Sequence, residues 1–360
     1  MAVPPQTANR AFTPLPALPR PFKAGTGATM ARRSQTTWND IASKETRIMS
    51  ASPNAGNDAI APELAAAEEA LLATAGIPVE RRETTLNGVR IHYLTCGEGE
   101  PLVLAHGRGG AAAQFTPILA ALAAGRRVLA LDLPGWGLSA KPPFTGHTAS
   151  DAVAVWRDAI RAFLDDQGLD QTDLAGHSMG GLAALAVALD APQRIRRLAL
   201  IDAGGLGLDM PFDVRLYMRL KPERLNRRLG KRFFAWIVNH DDPRLAKARG
   251  PLFDFLFAVE SQEDVIPSGG RAFDKWVNLG GVHLDYRSRL KELEMPVLLL
   301  WGDQDHLIPY STALHAVRQI RTGRLVAFTR CGHSPHQQRP DDFARVLVGW
   351  LDGYGAPSRV

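Results

Sequence analysis

A serine hydroxyl becomes a working nucleophile only when a base takes its proton and a carboxylate orients that base. The segment Gly176-His177-Ser178-Met179-Gly180 is suited to presenting such a serine. Its small residues permit a sharp turn that lifts the Ser178 hydroxyl clear of its neighbours, and a helix opening there would offer backbone N–H groups to negative charge. Two later segments, Cys331-Gly332-His333-Ser334 and Trp301-Gly302-Asp303-Gln304-Asp305, hold a candidate base and candidate carboxylates. A Gly-x-Ser-x-Gly string is common by chance, so its weight rests on the elements around it.

Those elements have the right pattern. The runs 101–105, 127–131, 172–175, 196–201, 296–301 and 324–329 are short and apolar, as strands buried on both faces are. Segments 111–123, 149–164, 180–189, 311–320 and 340–351 read as helices between them, which argues for a parallel α/β sheet. Asn87-Gly88 between two alternating segments predicts a hairpin, and the Ala, Leu and Glu of 62–75 a short helix. The elbow follows one strand, and the Asp and His segments follow the last two. In a parallel sheet those three strand ends share one edge. From Gly205 to Glu294 the alternation breaks into mainly helical sequence, too long for a loop, and this stretch is expected to be an inserted helical cap.

The chain resembles the α/β-hydrolase fold serine hydrolases of esterase and lipase type, over roughly Val79 to Gly353. The marks are His106-Gly107-Arg108-Gly109-Gly110, Asp132-Leu133-Pro134-Gly135-Trp136-Gly137-Leu138-Ser139, the Gly176 to Gly180 elbow, Trp301 to Asp305 with Pro309, and Gly332-His333. The resemblance implies a mostly parallel central sheet flanked by helices. Expected domains are a disordered extension over 1–60, a first core part over 61–204, the cap over 205–294 and a second core part over 295–360. It also implies roles: Ser178 as nucleophile, His333 as base and then acid, Asp305 as the orienting carboxylate. Asp303 is the rival for that carboxylate, and Asp202 a further alternative. The backbone N–H groups of Met179 and Arg108 would form the oxyanion hole. The Arg108 side chain is not needed for that role and is expected to point to solvent or towards a substrate anion.

Composition narrows the field. The 360 residues are 45% hydrophobic and 22% charged with 2 Cys, which excludes a wholly disordered chain and a disulfide-stapled miniature. The formal charge of +5 belongs to the tail: residues 1–39 hold Arg10, Arg20, Lys23, Arg32 and Arg33 and no acid, while the rest is balanced. Nucleic acid is therefore not an expected partner. Arg32-Arg33 is followed by Gln35-Thr36-Thr37-Trp38 where a twin-Arg signal would turn apolar, so export is not expected. Met49 offers an alternative start. No membrane span is expected, and the two Cys suit a reducing, cytoplasmic setting. His336 lies three residues from His333, yet no ligand set surrounds the pair, so neither a metal nor a cofactor is expected. His106 and His177 are read as loop-stabilising. The basic run from Arg215 to Arg232, with Glu223 as its lone acid, is read as a solvated face. Phe233, Phe234, Trp236, Phe253, Phe255, Phe257 and Trp276 are candidate lining or core of the cap. Oligomeric state is not legible.

The expected function is hydrolysis of a carboxylic ester or related acyl bond of a small molecule through an acyl-Ser178 intermediate. Two alternatives stand beside it. One is hydrolysis of a carbon–carbon bond next to a ketone; the elbow Gly176-His177-Ser178-Met179-Gly180-Gly181 is similar to that branch's pattern, with His177 where an Asn is typical. The other is a catalytically silent member that binds a ligand.

Overall fold

The computed structural model describes residues 62–240 and 242–353. The expectations for the first sixty residues lie outside them. Ten strands occur among the described residues, in chain order: β1 (Glu80–Leu86), β2 (Val89–Cys96), β3 (Glu100–Ala105), β4 (Arg126–Leu131), β5 (Thr172–His177), β6 (Ile195–Ile201), β7 (Val277–Asn278), β8 (Gly281–Val282), β9 (Val297–Gly302) and β10 (Gly323–Phe328). Eight of them form one sheet in the order β1-β2-β4-β3-β5-β6-β9-β10. The first two pairings are antiparallel and the others parallel. The hairpin turn sits at Asn87 and Gly88, with φ of 51° and 78°, the left-handed pair a two-residue turn needs.

Every residue of β5 and of β9 is buried, as expected for central strands covered on both faces. Covering them are helices whose apolar stripes face the sheet. Ala149–Asp166 starts with a capping box in which the Thr148 side chain accepts from the Asp151 N–H and the Asp151 carboxylate accepts in return. Met179–Asp190, rich in Ala and Leu, is buried from Met179 to Leu189 and packs against both β5 and the Ala149–Asp166 helix. Ala111 to Ala123 is not one helix but a 3₁₀ turn over Ala112–Phe115 followed by Thr116–Ala123.

Lateral pairing aligns the strand ends. Ala105 pairs with Gly176, His177 with Ile201, Ile201 with Leu300, and Phe328 with Gly302. The loops after β3, β5, β6, β9 and β10 therefore open on one edge, which carries His106, Ser178, Asp202, Asp305 and His333.

Residues 205–294, expected as a helical cap, hold helices Phe212–Arg219, Pro222–Val238, Pro243–Ala248, Pro251–Val259 and Arg271–Trp276 together with the small antiparallel pair β7–β8. A bend at Gly230, with φ 76°, breaks the second helix. The aromatic residues of this segment divide. Phe234 and Phe253 pack on each other at 5.2 Å in a small local cluster. Phe255 and Trp276 join the two large clusters on either side of the sheet, and Trp236 is 60% exposed. Helix Pro62–Leu72 packs on Pro251–Val259 and brings a buried Glu68 to 3.4 Å from His92 Nε2. No helix among the described residues is long and apolar enough to cross a membrane.

Candidate active site

Gly176 and Gly180 explain how the chain turns after β5. A β-carbon on Gly176 would lie 2.3 Å from the Gly180 carbonyl oxygen, and one on Gly180 would lie 2.3 Å from that of Ala105. Only glycine allows so close an approach of strand, helix and neighbouring strand. Between them Ser178 adopts φ 52° and ψ −114°, a conformation few side-chain-bearing residues take. Its N–H donates to the Ile201 carbonyl at 2.9 Å and its carbonyl accepts from Gly204 at 2.9 Å. These bonds hold the strained residue in place at the start of the Met179–Asp190 helix. Met179 is the first helical residue, so its N–H has no acceptor within that helix.

The candidate acid–base partners lie in the loops after the last two strands. His333 Nδ1 donates to Asp305 Oδ2 at 2.8 Å. The other oxygen, Oδ1, accepts from the backbone of Leu307 at 2.8 Å and of Ile308 at 3.0 Å. The Asp305 carboxylate thus meets donors on both oxygens, with its side chain shielded from solvent. Asp303 serves elsewhere, since its Oδ1 accepts from the Arg330 N–H at 2.7 Å and fixes the turn that leads to His333. Asp202 does come close. Its Oδ1 accepts from Gly302 N–H at 2.9 Å, and ligating atoms of Asp202, Asp305 and His333 all lie within 4.8 Å of one another. Among the described residues this is the group that could hold a metal ion. The His333 nitrogen that faces the carboxylates is already bonded to Asp305.

His177 is more than a sequence neighbour of the serine. Its Nε2–H donates to the His333 carbonyl at 2.8 Å, and its Nδ1 accepts from Gln114 Nε2 at 3.2 Å. Through the first of these bonds the elbow and the His333 loop are tied together. Gln114 Nε2 also lies 3.4 Å from His336 Nε2. Burial, and then the neighbouring His336 and His333, hold the His177 imidazole well below its usual range. Burial, with His333 second, pushes His336 down to about 3. Both rings are therefore neutral near neutral pH. His106 holds its own loop: Nδ1 donates to the Gly107 carbonyl at 2.7 Å and Nε2 accepts from Leu133 at 2.9 Å. Nothing in the sequence marks out Gln114, which sits inside a helix-like segment.

The loop expected to supply an oxyanion donor, His106 to Gly110, runs beside the serine. A β-carbon on Gly107 would stand 3.1 Å from Ser178 Cβ, and the Gly110 N–H closes a turn on the Gly107 carbonyl at 3.1 Å, with Gly109 at φ 64°. Arg108 occupies the bend. Its side chain points neither to solvent nor to an open site: it is buried beneath the 205–294 segment, paired with Glu223 and set 5.4 Å from the Phe273 ring and 5.8 Å from that of Trp136. In sequence Glu223 stands out only as the lone acid of a basic run, and that isolation is the signal of its buried partner.

A family model described as the alpha/beta hydrolase fold matches residues 100–340. The chain belongs to this family. Within it, the chain is 30% identical over 277 residues to the 2-hydroxy-6-oxononadienedioate/2-hydroxy-6-oxononatrienedioate hydrolase 2 of Pseudomonas putida, covering 73% of this chain and 92% of that protein. Two solved α/β-hydrolase structures are also similar. A membrane phospholipase A, described as a bacterial virulence factor, superposes with a TM-score of 0.66 at 26% identity, covering 81% of this chain and 91% of the other. A carboxylesterase of Bacillus subtilis gives 0.68 at 21% identity, covering 81% and 98%. The proteins it resembles thus carry the names of a dienedioate hydrolase, a phospholipase A and a carboxylesterase, and the chain is a hydrolase by family.

Proposed function

We propose that the chain hydrolyses carboxylic esters of small molecules through an acyl-Ser178 intermediate. The observation that supports this most is the strained Ser178 at a strand–helix junction, φ 52°, sharing a rim with the Asp305–His333 pair at 2.8 Å. In this mechanism His333 takes the hydroxyl proton as Ser178 Oγ attacks the carbonyl carbon. Asp305 holds the imidazole in the tautomer that leaves Nε2 unprotonated, and stabilises the imidazolium that forms. The two neutral imidazoles nearby add no positive charge against it. Negative charge developing on the carbonyl oxygen meets the Met179 and Arg108 N–H groups, each donor of this kind being worth about 3 kcal/mol. The protonated His333 then gives its proton to the leaving alcohol. Water, activated by the same imidazole, releases the acid.

A second reading, cleavage of a carbon–carbon bond beside a ketone, is supported by the similarity to the Pseudomonas putida hydrolase. His177 in the elbow favours the ester. The test sets a p-nitrophenyl ester series beside a vinylogous 2-hydroxy-6-oxo-dienoate, with fluorophosphonate labelling read by peptide mass. Ester turnover with a burst and a label on Ser178 is expected. Turnover of the dienoate with esters near background would transfer the assignment to the second reading, and an unlabelled Ser178 with neither activity would leave only a ligand-binding role.

A further inference from the structure

The 205–294 segment turns an apolar helix face to solvent. Seven of the eight exposed large hydrophobic side chains among the described residues belong to it, from Leu208 to Leu279. Single exposed apolar residues are ordinary, but a concentration of them in one segment marks an interaction surface. Helix Phe212–Arg219 shows how the concentration arises. Val214 is buried, and Met218, one turn on, packs on one of the large clusters, so that side of the helix faces the molecule. Phe212, Leu216 and the capping Leu220 recur at intervals of four on the other side, and they are 60%, 40% and 57% exposed. A surface helix ordinarily presents polar groups there. Arg215 joins Leu279 to this stripe, its guanidinium lying 5.7 Å from the Phe212 ring and donating to the Leu279 carbonyl at 2.9 Å.

Cations surround the stripe. Arg219 is exposed on the same helix, and Arg228 and Arg232 are exposed on the next, Pro222–Val238, together with Leu229 and Trp236. These three arginines have no acidic partner among the described residues. The neighbouring acids are taken: Glu223 by Arg108, Glu263 by Arg224 and Arg227, Asp254 by Lys231 and Asp274 by Lys221. Asp213, the acid of the first helix, pairs with His306 at 2.8 Å and so links that helix to the loop that carries Asp305.

Charge decides which occupant fits. A second copy seated symmetrically would set these arginines against their own like. Residues 1–39 carry five basic side chains and no acid, so they too meet the face with like charge. An anionic surface complements it. The apolar residues project from a convex helix ridge with arginines beside them, the arrangement that enters between lipid headgroups while the cations meet phosphates. We propose that helices Phe212–Arg219 and Pro222–Val238 dock the protein peripherally on an anionic lipid surface, with Phe212, Leu216 and Leu220 inserting and Arg219, Arg228 and Arg232 binding lipid phosphates. This holds whichever bond is cleaved at Ser178.

The experiment measures cosedimentation of the full chain with vesicles of phosphatidylcholine alone and of phosphatidylcholine mixed with phosphatidylglycerol. Partitioning is expected to be at least about tenfold stronger on the anionic vesicles and to weaken as salt rises. Leu216→Asp is expected to cut it by about tenfold or more, as is the combined Arg219→Glu, Arg228→Glu and Arg232→Glu protein, with circular dichroism and thermal midpoint unchanged in each. Leu314→Asp, at the exposed hydrophobic residue outside the segment, should bind as the native protein does. Absence of binding to anionic vesicles overturns the proposal, as does equal binding to both vesicle types. Native-like binding by the Leu216 and arginine variants would also overturn it, by moving the contact to another part of the chain. Self-association that Leu216→Asp abolishes, without vesicle binding, would give the face to a second copy. Binding to polyglutamate but not to vesicles would give it to an acidic protein.

Discussion

Asp305 divides its two oxygens between His333 on one side and the Leu307 and Ile308 backbone on the other, at 2.8, 2.8 and 3.0 Å. An Asn at 305 keeps the shape and spoils the polarity: it would favour the His333 tautomer with its proton on the wrong nitrogen. Asp305→Asn is expected to lower kcat by about 10³- to 10⁴-fold with little change in fold. Asp303→Asn retains an oxygen for Arg330, and Asp202→Asn one for Gly302, so both are expected to stay within about tenfold of the native rate. Steady-state ester kinetics with circular dichroism on the three variants check this ordering. An Asp202 variant as slow as the Asp305 variant would move the orienting carboxylate to β6.

Ser178 is held at φ 52° and ψ −114°. Such backbone strain costs about 1–3 kcal/mol, and glycine relieves most of it. Ser178→Gly is therefore expected to raise the thermal midpoint by several degrees while abolishing turnover and labelling. Ser178→Ala should abolish both without the gain. Calorimetry of the two inactive proteins decides; equal midpoints would mean that the elbow stores no strain.

Gly107 fits because it has no side chain. An Ala there would put a β-carbon 2.8 Å from His177 Nδ1 and 3.1 Å from Ser178 Cβ. The loop or the imidazole must move, and both the proposed oxyanion donors and the bond from His177 to His333 depend on them. Gly107→Ala is expected to cut kcat by about 10²-fold, since displacements of an ångström cost that much, with KM changed far less. A native kcat would remove Arg108 from the oxyanion hole.

Two buried histidines give opposite pH dependences of stability. His336 is lowered from 6.5 to about 3 by burial, so the unfolded chain binds its proton first and stability is lost as pH falls from 6.5 towards 3. His92, with burial opposing and Asp132 and Glu68 outweighing it, is raised to about 10. Its contribution is complete below pH 6.5 and lost as pH rises through 10. Urea midpoints across this range should accordingly fall at both ends. His336→Asn is expected to flatten the acid limb and His92→Gln the alkaline limb; an unchanged limb in either variant would show that the corresponding imidazole is not the group responsible.

Much of the site is legible in the sequence. Glycines at 176 and 180 mark a tight turn, and the reactive residue types follow strands whose apolar runs mark them as parallel and buried. Local spacing therefore points to Ser178, and the chain order of strand ends to His333 and to Asp303 or Asp305, between which the family resemblance favours Asp305. The same reasoning goes astray where a segment's structure depends on its packing. Ala111 to Ala123 carries a helical composition, yet its first turn is tightened into 3₁₀, with Gln114 turned to the His177 and His336 imidazoles.

What the sequence determined by itself was the fold family and a set of candidate residues for the chemistry, because turn geometry, strand burial and nucleophile chemistry each leave a local pattern. Tertiary structure alone decided which charges meet. Arg108 finds Glu223 from 115 positions away, Glu260 comes to rest on Gly109, and Glu68 reaches His92 from a helix preceding the sheet. Such pairings follow from strand order and from how the 205–294 segment folds back on the strand ends. No periodicity within either partner's own segment encodes them.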